Sequence, residues 1–266
     1  MATDDGSRTL SIVSFNMHGF YQGIPTVDEL INDMNPDVFM FQEHWLTPAN
    51  LYLFDRQFPD YFAFGSSALS SSVASGMLRG RPFGGVMILV NKNLRKITET
   101  IHSDERFAIV KIGQHLLVNV YFPCSGTINR SVVYENLLSD IAMWCDRYPG
   151  CKFIIAGDFN CDLDGTDVVS SMVDKFIRDG SLVRCDDIFP CQKLPTYVNE
   201  ALKQQSCIDY VLTSPACDVK SFVIIDPNIN FSDHLPLMCE IVTPVYNNIS
   251  NSVKCDVSSN STQKLI

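Results

Sequence analysis

Nine short apolar runs, several of them apolar on both alternating faces, limit what this chain can fold into more than any other feature. Leu10–Phe15, Asp37–Phe41, Gly85–Val90, Phe107–Ile112, Leu116–Tyr121, Lys152–Ala156, Ile208–Leu212, Phe222–Ile225 and Leu235–Val242 are rich in β-branched and aromatic residues. Polar or turn residues bound each one, which predicts strands. A strand that is apolar on both alternations needs cover on both faces. Helices to supply that cover are predicted at Thr26–Met34, which stops before Asn35-Pro36, at Ser131–Asp146, and at Asp167–Asp179, closed by Gly180. In the second of these, Tyr134, Leu137, Leu138, Ile141, Trp144 and Cys145 recur at helical spacing and define a buried stripe. Strands that alternate with helices yet also arrive in adjacent pairs fit a mixed-sheet α/β sandwich better than a doubly wound parallel sheet.

With 266 residues, 46% of them hydrophobic, the chain can build one large core. The expected division is an N-terminal extension over 1–9, a single domain over 10–243, and an aperiodic Asn/Ser-rich tail or linker over 244–266. Ser66–Arg81, rich in Ser and Gly, reads as a mobile surface loop. No apolar stretch approaches the roughly 18 residues of a membrane span. Met1–Gly6 is polar and acidic where a signal peptide needs a basic start and an apolar core. The expectation is a nuclear or cytoplasmic protein, unsecreted and without a membrane partner. Ten cysteines are scattered singly with no Cys-x-x-Cys pair, and read as reduced thiols acting as small buried hydrophobes.

The net charge of −10 speaks against a general nucleic-acid-binding protein, because phosphate contacts are made by Lys and Arg. The sum conceals an asymmetry. Gly76–Lys111 holds seven basic residues (Arg79, Arg81, Lys92, Arg95, Lys96, Arg106, Lys111) against three acidic ones, so it carries +4 while the remainder carries −14. This segment is a candidate polyanion-binding face along the same edge as the site, or an ordinary solvated face. Arg79, Arg81 and Arg106 are the candidate phosphate contacts.

Four carboxylate-rich motifs occur in a fixed order where apolar runs meet polar residues: Ser14-Phe15-Asn16, Gln42-Glu43-His44, Gly157-Asp158-Phe159-Asn160 and Ser232-Asp233-His234. Glu43, Asp158, Asp209 and Asp233 would all be ionised at neutral pH and, gathered together, would repel. A divalent cation removes that penalty, and oxygen donors without Cys or paired His favour Mg²⁺ or Mn²⁺ over zinc. Asn16 and Asn160 can orient a water or a phosphate oxygen without adding charge. His234 beside Asp233, with a second carboxylate to orient its ring, suits stabilisation of a phosphoryl-transfer transition state. Each motif taken singly could merely cap a turn. His18, His44, His102 and His115 lack ligand-like spacing and read as structural or exposed, Trp45 and Trp144 as core, and Cys161 as buried and inert.

Six segments in order, Ser14-Phe15-Asn16-Met17, Phe41-Gln42-Glu43, Val120-Tyr121-Phe122-Pro123, Gly157-Asp158-Phe159-Asn160, Cys207-Ile208-Asp209-Tyr210 and Ser232-Asp233-His234, resemble the motifs of the endonuclease/exonuclease/phosphatase superfamily from about Leu10 to Val242. The resemblance implies the DNase I-like fold, a multi-layer sandwich of two packed mixed β-sheets flanked by helices. It implies Glu43 as principal Mg²⁺ (or Mn²⁺) ligand with Asn16 and Asp233. Asp158 would activate or position the attacking water, Asn160 would orient it, His234 oriented by Asp209 would stabilise charge, and Tyr121 would donate to a phosphate oxygen. Nucleases of the family often carry Asn after the Tyr-x-Pro element, where this chain has Cys124. Arg81-Pro82-Phe83-Gly84-Gly85-Val86, Glu43-His44-Trp45-Leu46 and Leu194-Pro195-Thr196-Tyr197 are similar to segments of the endonuclease domain of LINE-type (non-LTR) retrotransposons, with Thr196 as a substrate-contact candidate. That likeness implies a DNA partner, 3′-hydroxyl and 5′-phosphate products, and a reverse-transcriptase domain in a longer parent protein. An apurinic-site repair endonuclease, a phosphatase or sphingomyelinase-like phosphoesterase, and an idle remnant that acts by binding are the alternatives.

Overall fold

The computed structural model describes residues 7–76, 83–189, 194–201 and 203–244. In chain order its elements are β1 (Ser7–Asn16), α1 (Phe20–Met34), β2 (Val38–Gln42), α2 (Leu53–Gln57), β3 (Tyr61–Ser66), α3 (Ser70–Ala74), β4 (Val86–Asn91), β5 (Thr98–Ser103), β6 (Phe107–Ile112) and β7 (His115–Tyr121). There follow α4 (Arg130–Asp146), β8 (Lys152–Asp158), α5 (Val168–Asp179), β9 (Val183–Arg184), α6 (Cys185–Ile188), β10 (Tyr197–Asn199), β11 (Gln204–Ser206), β12 (Asp209–Thr213), β13 (Asp218–Ile224) and β14 (Leu237–Pro244).

Two six-stranded mixed sheets form, in the orders β13-β14-β1-β2-β4-β3 and β5-β6-β7-β8-β12-β9, with β10-β11 as a separate hairpin. The double apolar alternation decides the layering. In β1, Leu10 and Ile12 join the cluster between the sheets while Val13 and Phe15 join the cluster under α1. Likewise β2 sends Val38 and Met40 inward to the other sheet and Phe39 and Phe41 out to α1 and α2. On the second sheet Ile154 faces the first sheet, and Ile155 faces α4 and α5. This period of two with both faces buried makes four layers, helix, sheet, sheet, helix. Truncating a wholly buried side chain such as Phe41 to Ala should cost about 3–5 kcal/mol.

Each sheet contains one parallel pair joined across a helix: β1-α1-β2, with Asn16 level with Gln42, and β7-α4-β8, with Tyr121 level with Asp158. Parallel pairing brings both strand ends to the same edge. β12 runs antiparallel to β8 and begins there, with Asp209 opposite Asp158.

Several sequence expectations shift. α1 starts at Phe20, not Thr26, with Pro25 inside it, because Gly19 N–H and Phe20 N–H already bond to the Glu43 and His44 carbonyls and anchor the first turn. β1 extends back to Ser7, which pairs with Pro244. β3 and β5 form from stretches not expected as strands. The described part of the expected Ser66–Arg81 loop holds α3, with Ser67 and Leu69 buried and Ser67 Oγ donating to Leu46 O at 2.6 Å. Residues 77–82, with Arg79 and Arg81, and the expected tail beyond 244 lie outside the described residues. No helix among the described residues is long and apolar enough to cross a membrane. The eight described cysteines are all free thiols.

Candidate active site

The ends of β1, β2, β7 and β8 and the start of β12 meet at one edge of the sandwich, where both sheets contribute. Backbone bonds continue the strand register past the strand ends, with Met17 N–H donating to Gln42 O at 2.9 Å, Phe122 N–H to Asp158 O at 2.9 Å and Phe159 N–H to Ile208 O at 2.8 Å. The loops that follow are tightly bent. Of eight non-glycine residues with positive φ among those described, four are here: His18, Glu43, Trp45 and Asn160, at 48–56°. Such backbone costs on the order of 1–3 kcal/mol per residue and persists only where its surroundings enforce it. Gly157, at φ 150°, shows the enforcement, since a Cβ there would lie 2.0 Å from the Val120 carbonyl oxygen. The glycine of the Gly-Asp-Phe-Asn motif is thus set by close strand packing.

Asn16 stands at the centre. Its amide nitrogen donates to Glu43 Oε1 at 3.1 Å and to Asp158 Oδ2 at 3.0 Å, and its oxygen accepts from His18 N–H at 3.1 Å. In this orientation Asn16 is a bridge between two carboxylates. Asn160 N–H donates to Asp158 Oδ1 at 2.8 Å, and its amide nitrogen donates to Asp158 Oδ2 and to Phe122 O, each at 2.9 Å. The Tyr121 hydroxyl bonds to Glu43. Burial first, then the Glu43 and Asp158 charges, hold that phenol far above its ordinary value, so it remains a proton donor.

His234 Nδ1 lies 2.8 Å from Asp209 Oδ2, with both residues buried. Burial alone would lower this imidazole's pKa, but the adjacent Asp209 charge and hydrogen bond, helped by Asp158 and Asp233, raise it to about 10. A charged ring results. Asp158, wholly buried beside Asp209 and Glu43, is pushed well above the usual carboxylate range, by burial first and by those charges second. Ligand atoms of Asp158, Asp209 and His234 lie within 4.8 Å of one another. Within this trio the one hydrogen bond is His234 Nδ1 to Asp209, so that ring nitrogen is committed and not free for a metal.

Asp233 Oδ1 lies 2.9 Å from His18 Nδ1 and 3.9 Å from His234 Nε2. The Asp233 bond is the main cause that raises the His18 pKa, and the His18 bond keeps the Asp233 carboxyl low against the opposing effect of burial. His18 also packs on Trp45, ring centroids 4.8 Å apart, and Trp45 Nε1 donates to Glu43 Oε2 at 3.0 Å. Both residues therefore belong to the site's wall, correcting their reading as bystander and core. The available sequence signal was their position, each two residues beyond a site residue at a strand end. His44 and His115 are buried and pushed down to about 4, chiefly by burial. Burial likewise pushes the Cys161 thiol up to about 12.

Two substrate-contact expectations are corrected. Thr196 is buried, and its hydroxyl oxygen accepts from Ile208 N–H at 3.0 Å and Asp209 N–H at 3.1 Å, so it fixes the start of β12 and faces no solvent. The basic segment does not lie along the site edge as a whole. β4 enters at that edge, where Val86 pairs with Gln42, and leaves at the other end, where Val90 pairs with Val38. Lys92, Arg95 and Lys96 follow it there, and Lys111 pairs with Glu99 at 3.5 Å beside that same end. Arg106 does reach the site, its guanidinium 5.1 Å from the Tyr121 ring centre. Arg130, not singled out from sequence, donates to Pro123 O at 3.1 Å and to Asn160 O, tying together the loops after β7 and β8.

Clustered carboxylates with two carboxylate-paired histidines, His18 and His234, on the edge of a two-sheet sandwich fit the phosphoesterase class. The sequence matches the Endonuclease/Exonuclease/phosphatase family over residues 13–234, and the chain belongs to that family. Among solved structures it is similar to a Neisseria 3′ phosphatase, NExo, bound to a product DNA hairpin, with 17% identity, 87% of this chain and 99% of that one covered, and TM-score 0.67. A Bacteroides thetaiotaomicron protein of the same family gives 16% identity, 89% and 98% coverage and TM-score 0.64. A humanised D. rerio TDP2 gives 17%, 88%, 98% and 0.60. Comparison with curated proteins finds no match.

Proposed function

We propose that this protein is a Mg²⁺-dependent phosphodiesterase acting on DNA, an endonuclease of the kind found in LINE-type retrotransposons, leaving 3′-hydroxyl and 5′-phosphate ends. One observation carries the metal reading. Three clustered carboxylates, Glu43, Asp158 and Asp209, lie about a single imidazolium, His234. With Asp158 ionised they leave an excess of two negative charges that one divalent cation would balance, whereas without one Asp158 is driven to keep its proton. The donor set fits Mg²⁺, since oxygen predominates and the imidazole is engaged by Asp209. Glu43 and Asp158 would hold the ion, with Asp233 at its margin and Asn16 holding the first two together. When bound, Mg²⁺ would supply charge stabilisation to the phosphate undergoing attack.

The chain's own residues supply the rest. Asp158, gripped by Asn160, would activate or position the attacking water. His234, kept charged by Asp209, would donate to an equatorial phosphate oxygen, and Tyr121 would donate to another. His234 does not have to reorganise as charge develops, because the Asp209 bond that orients it is already made; Tyr121 would turn its one hydroxyl proton from Glu43 to the phosphate.

The DNA reading is supported by the family, by the NExo structure's bound DNA hairpin, and by Arg106 at the rim. Parallel assays on supercoiled plasmid, an abasic duplex, inositol polyphosphates and sphingomyelin test it. The expected result is nicking of plasmid. Turnover of a small phosphoester or lipid, with no cleavage of either DNA, would overturn the DNA reading and leave the metal site standing.

A further inference from the structure

The lip of the site beside Asp233 is apolar. Phe231 is 65% exposed and Ile229 48%. Scattered exposed apolar residues are ordinary, but Phe231 and Ile229 sit together on one loop. Phe231 is two residues from Asp233, a span of at most about 7 Å. Glu29, on α1, anchors the Phe231 loop. The Glu29 carboxylate accepts from Asn228 N–H at 2.9 Å, Asn228 Nδ2 at 2.7 Å and Ile229 N–H at 3.1 Å, and Thr26 Oγ1 donates to Ile229 O at 2.8 Å.

The other end of the loop is equally fixed. Asn230 Nδ2 donates to His234 O at 2.8 Å, Ser232 N–H donates to Asn230 Oδ1 at 3.0 Å, and Ser232 Oγ donates to Asn16 O at 2.7 Å. The loop is thus bonded to α1 on one side and to the site residues on the other, while the Phe231 ring between them is left in water. A rigid aromatic face next to the reacting centre is preorganised for a planar ligand.

Charge says which planar ligand suits it. The protein carries −10 overall, and the described basic residues of Gly76–Lys111 other than Arg106 stand at the far end of their strands. A polyanion held mainly by phosphate contacts would find few partners here, whereas stacking on a base adds affinity that owes nothing to net charge.

We propose that Phe231 is a specificity-determining residue that stacks on the base of the nucleotide flanking the scissile phosphate, so that the site selects a nucleotide that is unpaired or readily unstacked. This rests on the DNA reading above.

The test compares wild type, Phe231→Ala and Phe231→Trp on single-stranded DNA and on the same backbone built of abasic tetrahydrofuran residues, all with Mg²⁺. Phe231→Ala should lower kcat/KM on normal single strands about five- to a hundredfold, the range of one lost base stack. Phe231→Trp should restore it, and the three proteins should cleave the abasic strand at equal rates. Thermal unfolding verifies that this exposed substitution leaves the fold intact. Equal cleavage of normal DNA by wild type and Phe231→Ala, or an equal loss on both strands, would overturn the stacking role while the DNA reading stood. Wild type that nicks supercoiled plasmid yet is inert on both strands would overturn the stacking role alone, and wild type inert on plasmid as well would remove the DNA reading and the stacking role with it.

Discussion

Asp209→Asn is the perturbation that separates His234's charge from its position. Asn keeps an oxygen that can accept from Nδ1–H, so the ring's orientation survives, but the negative charge 2.8 Å away is gone. In the native site burial opposes protonation of His234 and Asp209 overrides it, reaching about 10. Without that charge burial prevails, and the ring should be mostly neutral at pH 7. A neutral imidazole in place of a preorganised imidazolium loses transition-state stabilisation comparable to one oxyanion donor, on the order of 10²–10³ in kcat. The pH dependence should change form as well. Wild type keeps its imidazolium through pH 9, whereas Asp209→Asn should gain activity as pH falls below about 6.5. Stability carries the same sign. A histidine whose folded pKa is raised contributes fully below its unfolded value of 6.5 and loses that contribution as pH climbs to about 10. At about 1.4 kcal/mol per pH unit the ceiling is about 5 kcal/mol. Metal-dependent cleavage measured from pH 5.5 to 9, with Tm on the same samples, reads both effects. A folded Asp209→Asn protein within about threefold of wild type, with an unchanged pH profile, would refute the reasoning.

Burial and the Asp209 and Glu43 charges raise the Asp158 carboxyl, so the metal-free fold should lose stability as pH rises from the ordinary carboxylate range through the raised Asp158 value. Mg²⁺, taking the proton's place, should raise Tm more at pH 8 than at pH 5; a larger shift at pH 5 by scanning fluorimetry would contradict this. Gly157→Ala should force a methyl group against the Val120 carbonyl and hold Ala at φ 150°. The cost is about 2–6 kcal/mol, or roughly 5–20 °C in Tm, and a Tm within about 2 °C of wild type would show that the strands can part there.

The layered fold was legible because its strands advertise two buried faces: Val38 and Met40 against Phe39 and Phe41 need no tertiary information to be read. β5 escaped because Thr98–Ser103 is a largely polar edge strand. β3 escaped because Tyr61–Ser66 is half-buried and ends in Gly65-Ser66. The strand-end carboxylates were readable for the same reason as the core, since residues that end adjacent parallel strands must share an edge. His18 and Trp45 were not, because their approach to Asp233 and Glu43 depends on left-handed backbone at His18, Glu43 and Trp45, which side-chain spacing does not encode. The basic segment misled for a topological reason. Charge counted along the chain cannot say that an antiparallel strand carries Lys92, Arg95 and Lys96 away from the end at which it began.

The most direct test is relaxation of supercoiled plasmid by wild type and Glu43→Ala, each with Mg²⁺ and with EDTA. Glu43 is half-buried and bonded to Asn16 and Trp45, so its loss should leave the core intact, which circular dichroism can verify. Wild type should relax plasmid only with Mg²⁺, and Glu43→Ala should be slower by at least about a thousandfold, the equivalent of several kcal/mol of metal-derived charge stabilisation. Relaxation by wild type that is as fast in EDTA, or near wild-type rates from folded Glu43→Ala, would contradict a metal-dependent phosphodiesterase at this site.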